Sequence, residues 1–281
     1  MKILLRLIVI FWILLSSGTT LAEPQPLRLG ITPATAHNQY ALFEEWRAYL
    51  EHKLDHPVEL IFRDSYQENL DLMKQKKLDF AWLSSPAYLE NRQYTNLLVS
   101  PIYQGHPFDR AYLIVPASDH STKSLLDLKD KVFAYVDPAS NTGYLETIYQ
   151  LRLAGKDPDQ FFKKTFFTQN QQKIVAAVAI GLADGGSISG FAWETLALAR
   201  PDITVQTRIV ARSAEYGFPP IIARSTLSKS DFSQMQRALL TMSDDADGIV
   251  LLKRLNIDGF ALADKKLYRS VFLMMRRVGE L

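Results

Sequence analysis

The sequence predicts an α/β protein of two lobes, each a mostly parallel sheet flanked by helices. Short apolar runs alternate with amphipathic ones from residue 27 to 83, and the alternation resumes from 125 to 211. A tail of about seventy residues reads as largely helical. Alternating strands and helices imply parallel sheets covered on their faces.

The elements follow in order. "LRLGI" (27–31) reads as a strand, and Tyr40, Phe43, Trp46, Leu50 and Leu54 then recur at helical spacing. "VELIF" (58–62) is a second strand, and "YQENLDLMKQKKL" (66–78) is helical with Leu70, Met73 and Leu78 on one side. "DFAWL" (79–83) is a third strand, followed by a short helix opening at Pro86, since proline suits the first helical position. "AYLIVP" (111–116) is a strand and a crossover. "LLDLKDKVFAYV" (125–136) is a short helix and a strand that open the second unit. Helices follow near 143–154, 171–181 and 191–200, and "ITVQTRIVA" (203–211) is placed to carry the chain back. The tail predicts helices at 230–243, 247–255 and 264–277. Lobe 1 is then 27–112 plus 212–281, lobe 2 is 113–211, and a ligand cleft lies between them.

Residues 1–22 stand apart. Lys2 and Arg6 precede the apolar run "LIVIFWILL" (7–15), and "SSGTTLA" ends with Thr20 and Ala22 at small-residue cleavage positions. This is the pattern of a secretory signal peptide, and the run is short for a membrane span. Cleavage after Ala22 leaves 259 residues with 30 basic and 30 acidic side chains. The chain has no cysteine, hence neither a disulfide nor a lipidated cysteine. The expected location is the periplasm, as a soluble protein without a lipid anchor. A net charge of zero argues against a nucleic-acid partner, so any anion is caught by local geometry.

The loop "DPASNTG" (137–143) joins a strand to a helix with small, neutral, hydrogen-bonding side chains. Two roles fit it. A hydroxyl of Ser140 or Thr142 caps the helix. Alternatively the open N–H groups of the first turn, the helix dipole and these side chains hold an anion, with Gly143 letting the ligand approach the backbone. Tyr66, Ser84 and Ser85 fall at strand ends, the edge that faces the crevice in open α/β sheets. Thr32 and Thr35 follow the first strand in the same way. Asp184-Gly185-Gly186 leads into a short strand, after which Ser187 and Ser189 approach a helix near Phe191. The histidines (37, 52, 56, 106 and 120) make no metal-ligand spacing, and nucleophile-elbow, Walker and dinucleotide motifs are absent. The chain is expected to be no enzyme and to use no metal or cofactor.

Several segments together resemble the periplasmic substrate-binding proteins for phosphonate, phosphite and phosphate-like oxyanions, the capture components of ABC importers. They are "RDSYQENLDLMKQKKLDFAWLSSPAYL" (63–89), "LLDLKDKVFAYVDPASNTGYL" (125–145), "DPDQFFKKTFFTQNQQKIVAAVAIGLADGG" (157–186) and "FPPIIAR" (218–224). The family's Asp-Pro-x-Ser-Thr-Ser-Gly-Tyr appears here as Asp-Pro-Ala-Ser-Asn-Thr-Gly-Tyr. The resemblance implies a periplasmic-binding-protein fold, a small anionic ligand, an inner-membrane ABC permease as partner and a monomeric state. A membrane receptor is the alternative partner. It implies ligand-binding roles for Ser140, Asn141, Thr142 and Gly143, with Tyr66 pointing into the cleft. Asn170 and Gln171 stand where the family has a ligand-binding histidine, and "YGFPP" (216–220) lacks the acid with which some members grip an amine. Aminated phosphonates are therefore expected to hold no advantage, with Asp184, Glu194 or Asp109 as the fallback partner of an amine.

Overall fold

A computed structural model describes residues 25–31 and 40–281. Residues 1–22, read above as a signal peptide, and the Thr32 and Thr35 positions lie outside the described residues.

Two sheets organise the molecule. The first has six strands in the order β13-β4-β12-β3-β1-β2, and the second has five in the order β10-β6-β9-β7-β8. Lobe 1 contributes β1 (Leu27–Ile31), β2 (Val58–Phe62), β3 (Phe80–Trp82) and β4 (Thr95–Ile102). A two-stranded ribbon of β5 (Phe108–Asp109) and β11 (Tyr216–Gly217) marks the crossovers. Lobe 2 contains β6 (Ala111–Pro116), β7 (Val132–Tyr135), β8 (Lys164–Phe167), β9 (Gly185–Ser189) and β10 (Thr207–Arg212). The chain returns to lobe 1 through β12 (Ile221–Arg224) and β13 (Gly259–Leu262). Ala111, Tyr112 and Arg212, expected in lobe 1, thus belong to the second sheet.

Both sheets are mixed rather than mostly parallel. β1 pairs in parallel with β2 and β3, and β7 with β8 and β9, whereas β12 is antiparallel to β3 and β4 and β6 is antiparallel to β9 and β10. The crossovers are the reason. A chain leaving one lobe ends its last strand at the cleft, so its first strand in the other lobe starts there and runs away. β4 and β10 end at the cleft, while β6 and β12 begin there.

Helices cover both faces. In the helix Tyr40–Leu54, the side chains Leu42, Phe43, Trp46, Tyr49, Leu50 and Leu54 are buried, a stripe at three- and four-residue spacing. Trp46 is fully buried, stacks on Phe260 at 5° and meets Trp82 edge-on. Truncating such a side chain costs about 3–5 kcal/mol. The helix Tyr66–Lys74 starts with a capping box between Ser65 and Glu68. It packs so closely on β1 that a Cβ on Gly30 would lie 2.5 Å from Asn69 Oδ1. In the tail, the helices are Lys229–Leu240, Ala246–Leu255 and Arg269–Val278. Residues 203–211 split into the helical turn Pro201–Thr204 and β10, because Pro201 opens a helix rather than a strand. Among the described residues no helix is long and apolar enough to cross a membrane.

Candidate ligand-binding site

A cavity of about 40 Å³ lies between the lobes, walled almost wholly by residues at the cleft ends of strands. Lobe 1 supplies Tyr66 after β2, Leu83, Ser84 and Ser85 after β3, and Phe218 and Pro219 before β12. Lobe 2 supplies Ser140, Asn141 and Thr142 after β7, Gln171 after β8, and Ser189 and Phe191 at the end of β9. Asp109 and Tyr216, paired across the crossover ribbon, complete the wall. The described lining contains no lysine, arginine or histidine, so an anion here rests on neutral donors. Among the described residues no cluster of three metal-ligating side chains occurs.

The 137–143 loop divides its labour. Asp137 accepts from the Ala139 N–H at 2.7 Å and sets the turn. Ser140 caps the next helix, its Oγ accepting from the Gly143 N–H at 3.0 Å. Residues Asn141–Leu145 form a wide π-type turn that runs into the helix Glu146–Leu153. The N–H groups of Asn141 and Thr142 open this run, positions whose donors lack partners within a helix. The Thr142 hydroxyl makes no hydrogen bond among the described residues, and its backbone oxygen is fixed by Ser187 Oγ at 2.6 Å. Asn141 is 6% exposed, and its Oδ1 is buried without a partner. Gly143 serves packing rather than ligand approach: a Cβ there would sit 2.3 Å from Val136 Cγ2.

The lobes meet around the cavity in a closed arrangement. Ser84 Oγ caps its helix by accepting from Ala87 N–H at 3.2 Å and donates to the Ala139 carbonyl at 2.5 Å. The Tyr66 backbone N–H donates to the Asp137 carboxylate. Asn256 Nδ2 donates to Thr195 Oγ1 at 2.8 Å, and the Tyr103 and Tyr112 hydroxyls both donate to Glu194. The Tyr216 hydroxyl donates to Glu146. Ser85 Oγ ties the β3 end to the Gly217 carbonyl at 3.1 Å. Burial raises the carboxyls of Asp137 and Glu146 above their ordinary range, while their hydrogen bonds hold the rise down. Burial pushes Asp109 up to about 6, against the pull of donors from Ser189 Oγ and the Phe191 N–H.

A model of the family described as the phosphonate ABC transporter periplasmic substrate-binding protein matches residues 29–268. The chain belongs to this family. The substrate-binding protein is thus the periplasmic capture component of a phosphonate ABC transporter, working with a membrane permease, and the receptor alternative is not favoured. Its fold is that of a binding-protein component of an ABC phosphonate transporter from Pseudomonas aeruginosa. The TM-score is 0.84 at 22% identity, over 91% of this chain and 87% of that one. A Prochlorococcus marinus protein solved with methylphosphonate superposes with a TM-score of 0.83 at 19% identity, over 92% of this chain and 100% of that one. A Xanthomonas citri protein bound to ATP gives 0.72 at 19% identity, over 90% and 96%.

Within this substrate-binding protein, Tyr66, Ser84, Ser85, Ser140, Asn141, Thr142 and Gln171 converge on the cavity. Three expected residues do not line it. Gly143 faces Val136. Asn170 is a helix cap, its Oδ1 accepting from the N–H groups of Gln172 and Lys173. Asp184 accepts from the Val132 N–H at 2.8 Å at the far end of β9, roughly 16 Å from the cleft end at the ordinary strand rise. Gly185 and Gly186 beside it serve packing, against Leu128 and Ile174. The acid missing from "YGFPP" stands on the strand paired with it, as Asp109 opposite Tyr216. That removes the ground for expecting aminated phosphonates to lack a partner. Asp109 lies on a two-residue strand with no periodicity to flag it.

Proposed function

We infer that this protein closes its lobes around one small phosphonate with a short carbon substituent. In this reading the N–H groups of Asn141 and Thr142, the hydroxyls of Thr142 and Ser140, and Gln171 hold the oxyanion. The aromatic wall of Trp82, Phe191 and Phe218 receives the carbon substituent. The supporting observation is a cation-free cavity at a helix start, about 40 Å³ in volume. A single water needs at least about 10–15 Å³, so in this closed arrangement the cavity suits a compact tetrahedral anion better than a nucleotide. The similar Prochlorococcus marinus structure holds methylphosphonate.

Opening and closing are a hinge motion about the β5–β11 ribbon. Residues 1–22 direct export, with cleavage after Ala22; intact mass of periplasmic protein beginning at Met1 would refute that part. The main test is calorimetry with phosphate, phosphite, methylphosphonate, aminoethylphosphonate, sulfate and ATP. One-to-one binding of methylphosphonate and none of ATP is expected. Failure of every phosphonate and phosphite to bind would refute the reading.

A further inference from the structure

We propose that Asp109 makes the cavity selective for oxyanions that still carry an acidic proton: a phosphonate is held as its monoanion, with its P–OH donating to the Asp109 carboxylate. Sulfonates of the same shape are turned away. The inference rests on the phosphonate reading above and adds a rule of selection to it.

Among the described residues Asp109 is the only acid in the lining, and it is 6% exposed. Its Oδ2 accepts from Ser189 Oγ at 2.7 Å and its Oδ1 from the Phe191 N–H at 3.1 Å. The Arg110 backbone N–H donates to the same carboxylate, so of its roughly four acceptor positions one remains for a ligand. No cation neutralises Asp109 among the described residues. Of the charged and titratable groups packed behind it, Arg110 pairs with Glu215, and Arg212 lies 5.0 Å over the Tyr112 ring. His106 rests against the Phe108 ring, and Glu194 takes the Tyr103 and Tyr112 hydroxyls and adds negative charge.

An anion entering the cavity therefore meets a fixed negative charge that is buried from solvent, where repulsion is less screened. A proton on the ligand converts that repulsion into a charge-assisted O–H···O⁻ bond. Asn141 also lines the cavity, and its buried Oδ1 has no hydrogen-bond partner among the described residues. The cavity thus sets the Asp109 acceptor beside its donors, and a fully ionised oxyanion brings no proton to it. A phosphate monoester, with a second pKa of about 6, is mostly dianionic at neutrality; an alkylphosphonate holds its second proton more tightly, because carbon withdraws less charge than an ester oxygen, so a large share of it is still monoanionic there. Sulfonates keep none. The small volume favours this P–OH partner over an ammonium group on an added alkyl arm.

Methylphosphonate and methanesulfonate test the rule, being matched in shape and, as monoanions, in charge. Calorimetry on the full mature protein should give at least about a hundredfold tighter binding of methylphosphonate. Its affinity should fall about tenfold per pH unit above the second ionisation of the ligand. The Asp109→Asn profile separates the ligand's ionisation from that of Asp109, whose own carboxyl is raised to about 6. In Asp109→Asn the gap should shrink below about tenfold and the pH dependence should flatten. Equal binding of both anions by the wild type overturns the inference while leaving the phosphonate reading intact. Failure to bind any phosphonate sinks that reading instead. Aminomethylphosphonate bound a hundredfold tighter than methylphosphonate, with the advantage lost in Asp109→Asn, would make Asp109 an ammonium partner and also overturn it. Should Asp109→Asn misfold, the isostere comparison and the wild-type pH profile decide the matter.

Discussion

Thr142→Val and Ser140→Ala separate a hydroxyl that only binds from one that also caps, at the 137–143 loop. Valine keeps the shape of threonine and removes a hydroxyl that faces the cavity and has no hydrogen bond among the described residues. A hydrogen bond to a charged group is worth about 1.5–3 kcal/mol, which at about 1.4 kcal/mol per decade is a loss of roughly 10- to 150-fold in affinity. Because that hydroxyl supports no protein contact, the melting temperature of the ligand-free protein should stay within the small range of ordinary surface changes, about ±0.5 kcal/mol. Ser140 differs, since its Oγ accepts from the Gly143 N–H. Removing that cap costs about 0.5–2 kcal/mol, a drop of a few degrees at about 2–4 °C per kcal/mol for a chain of this size. Calorimetry with methylphosphonate and scanning calorimetry of ligand-free protein give both readouts. If Thr142→Val binds like wild type, or melts as early as Ser140→Ala, the division of labour is wrong.

Three further outcomes are expected. Gly143→Ala should destabilise the ligand-free protein by about 1–3 kcal/mol through overpacking against Val136; adding Val136→Ala should recover part of it, and a neutral Gly143→Ala melt would contradict the packing account. Tyr216→Phe leaves Glu146 with less compensation for burial, so denaturant titration should show a loss of about 1–3 kcal/mol at pH 8 and a smaller loss at pH 5, where protonation relieves the carboxylate. The melting temperature of ligand-free protein should fall between pH 5 and pH 8. Asp109, Asp137 and Glu146 have raised folded pKa values, so the folded state binds more protons than the unfolded one until they ionise, and stability drops as pH rises through them. A melting temperature that climbs over this range would refute that assignment.

Legibility followed the size of the physical signal. The helix Tyr40–Leu54 and the strands β1 and β2 were readable because their apolar spacing matches one period and no other. β12 was hidden in a tail read as helical: it is four residues long, buried at Ile221, Ile222 and Ala223, and preceded by Pro219-Pro220. A run that short carries no period. In the site, side chains at strand ends could be found, since a strand followed by a helix names its own cleft edge. Asp109 could be named only as a fallback, because its place depends on pairing with Tyr216, far along the chain. Asp184, named beside it as a fallback, fails because the direction of β9 places it at the end away from the cleft.

The interleaved topology also sets an order of assembly. Every strand of the second sheet lies between Ala111 and Arg212, so that sheet can be completed from one uninterrupted stretch. The first sheet cannot. Ile222 of β12 pairs with both Ala81 and Leu97, so β4 and β13 join β1–β3 only after the chain has passed through the other lobe and come back. Long-range pairing waits on closure of the intervening loop, and that loop is cheapest to close once its middle is already compact. Pulse-labelled hydrogen exchange during refolding should therefore protect amides around Ile114 and Ala134 before those of Leu97 and Ile222. Midway through folding the protein would be a half-built object: one lobe finished, the other still an open sheet with an exposed edge.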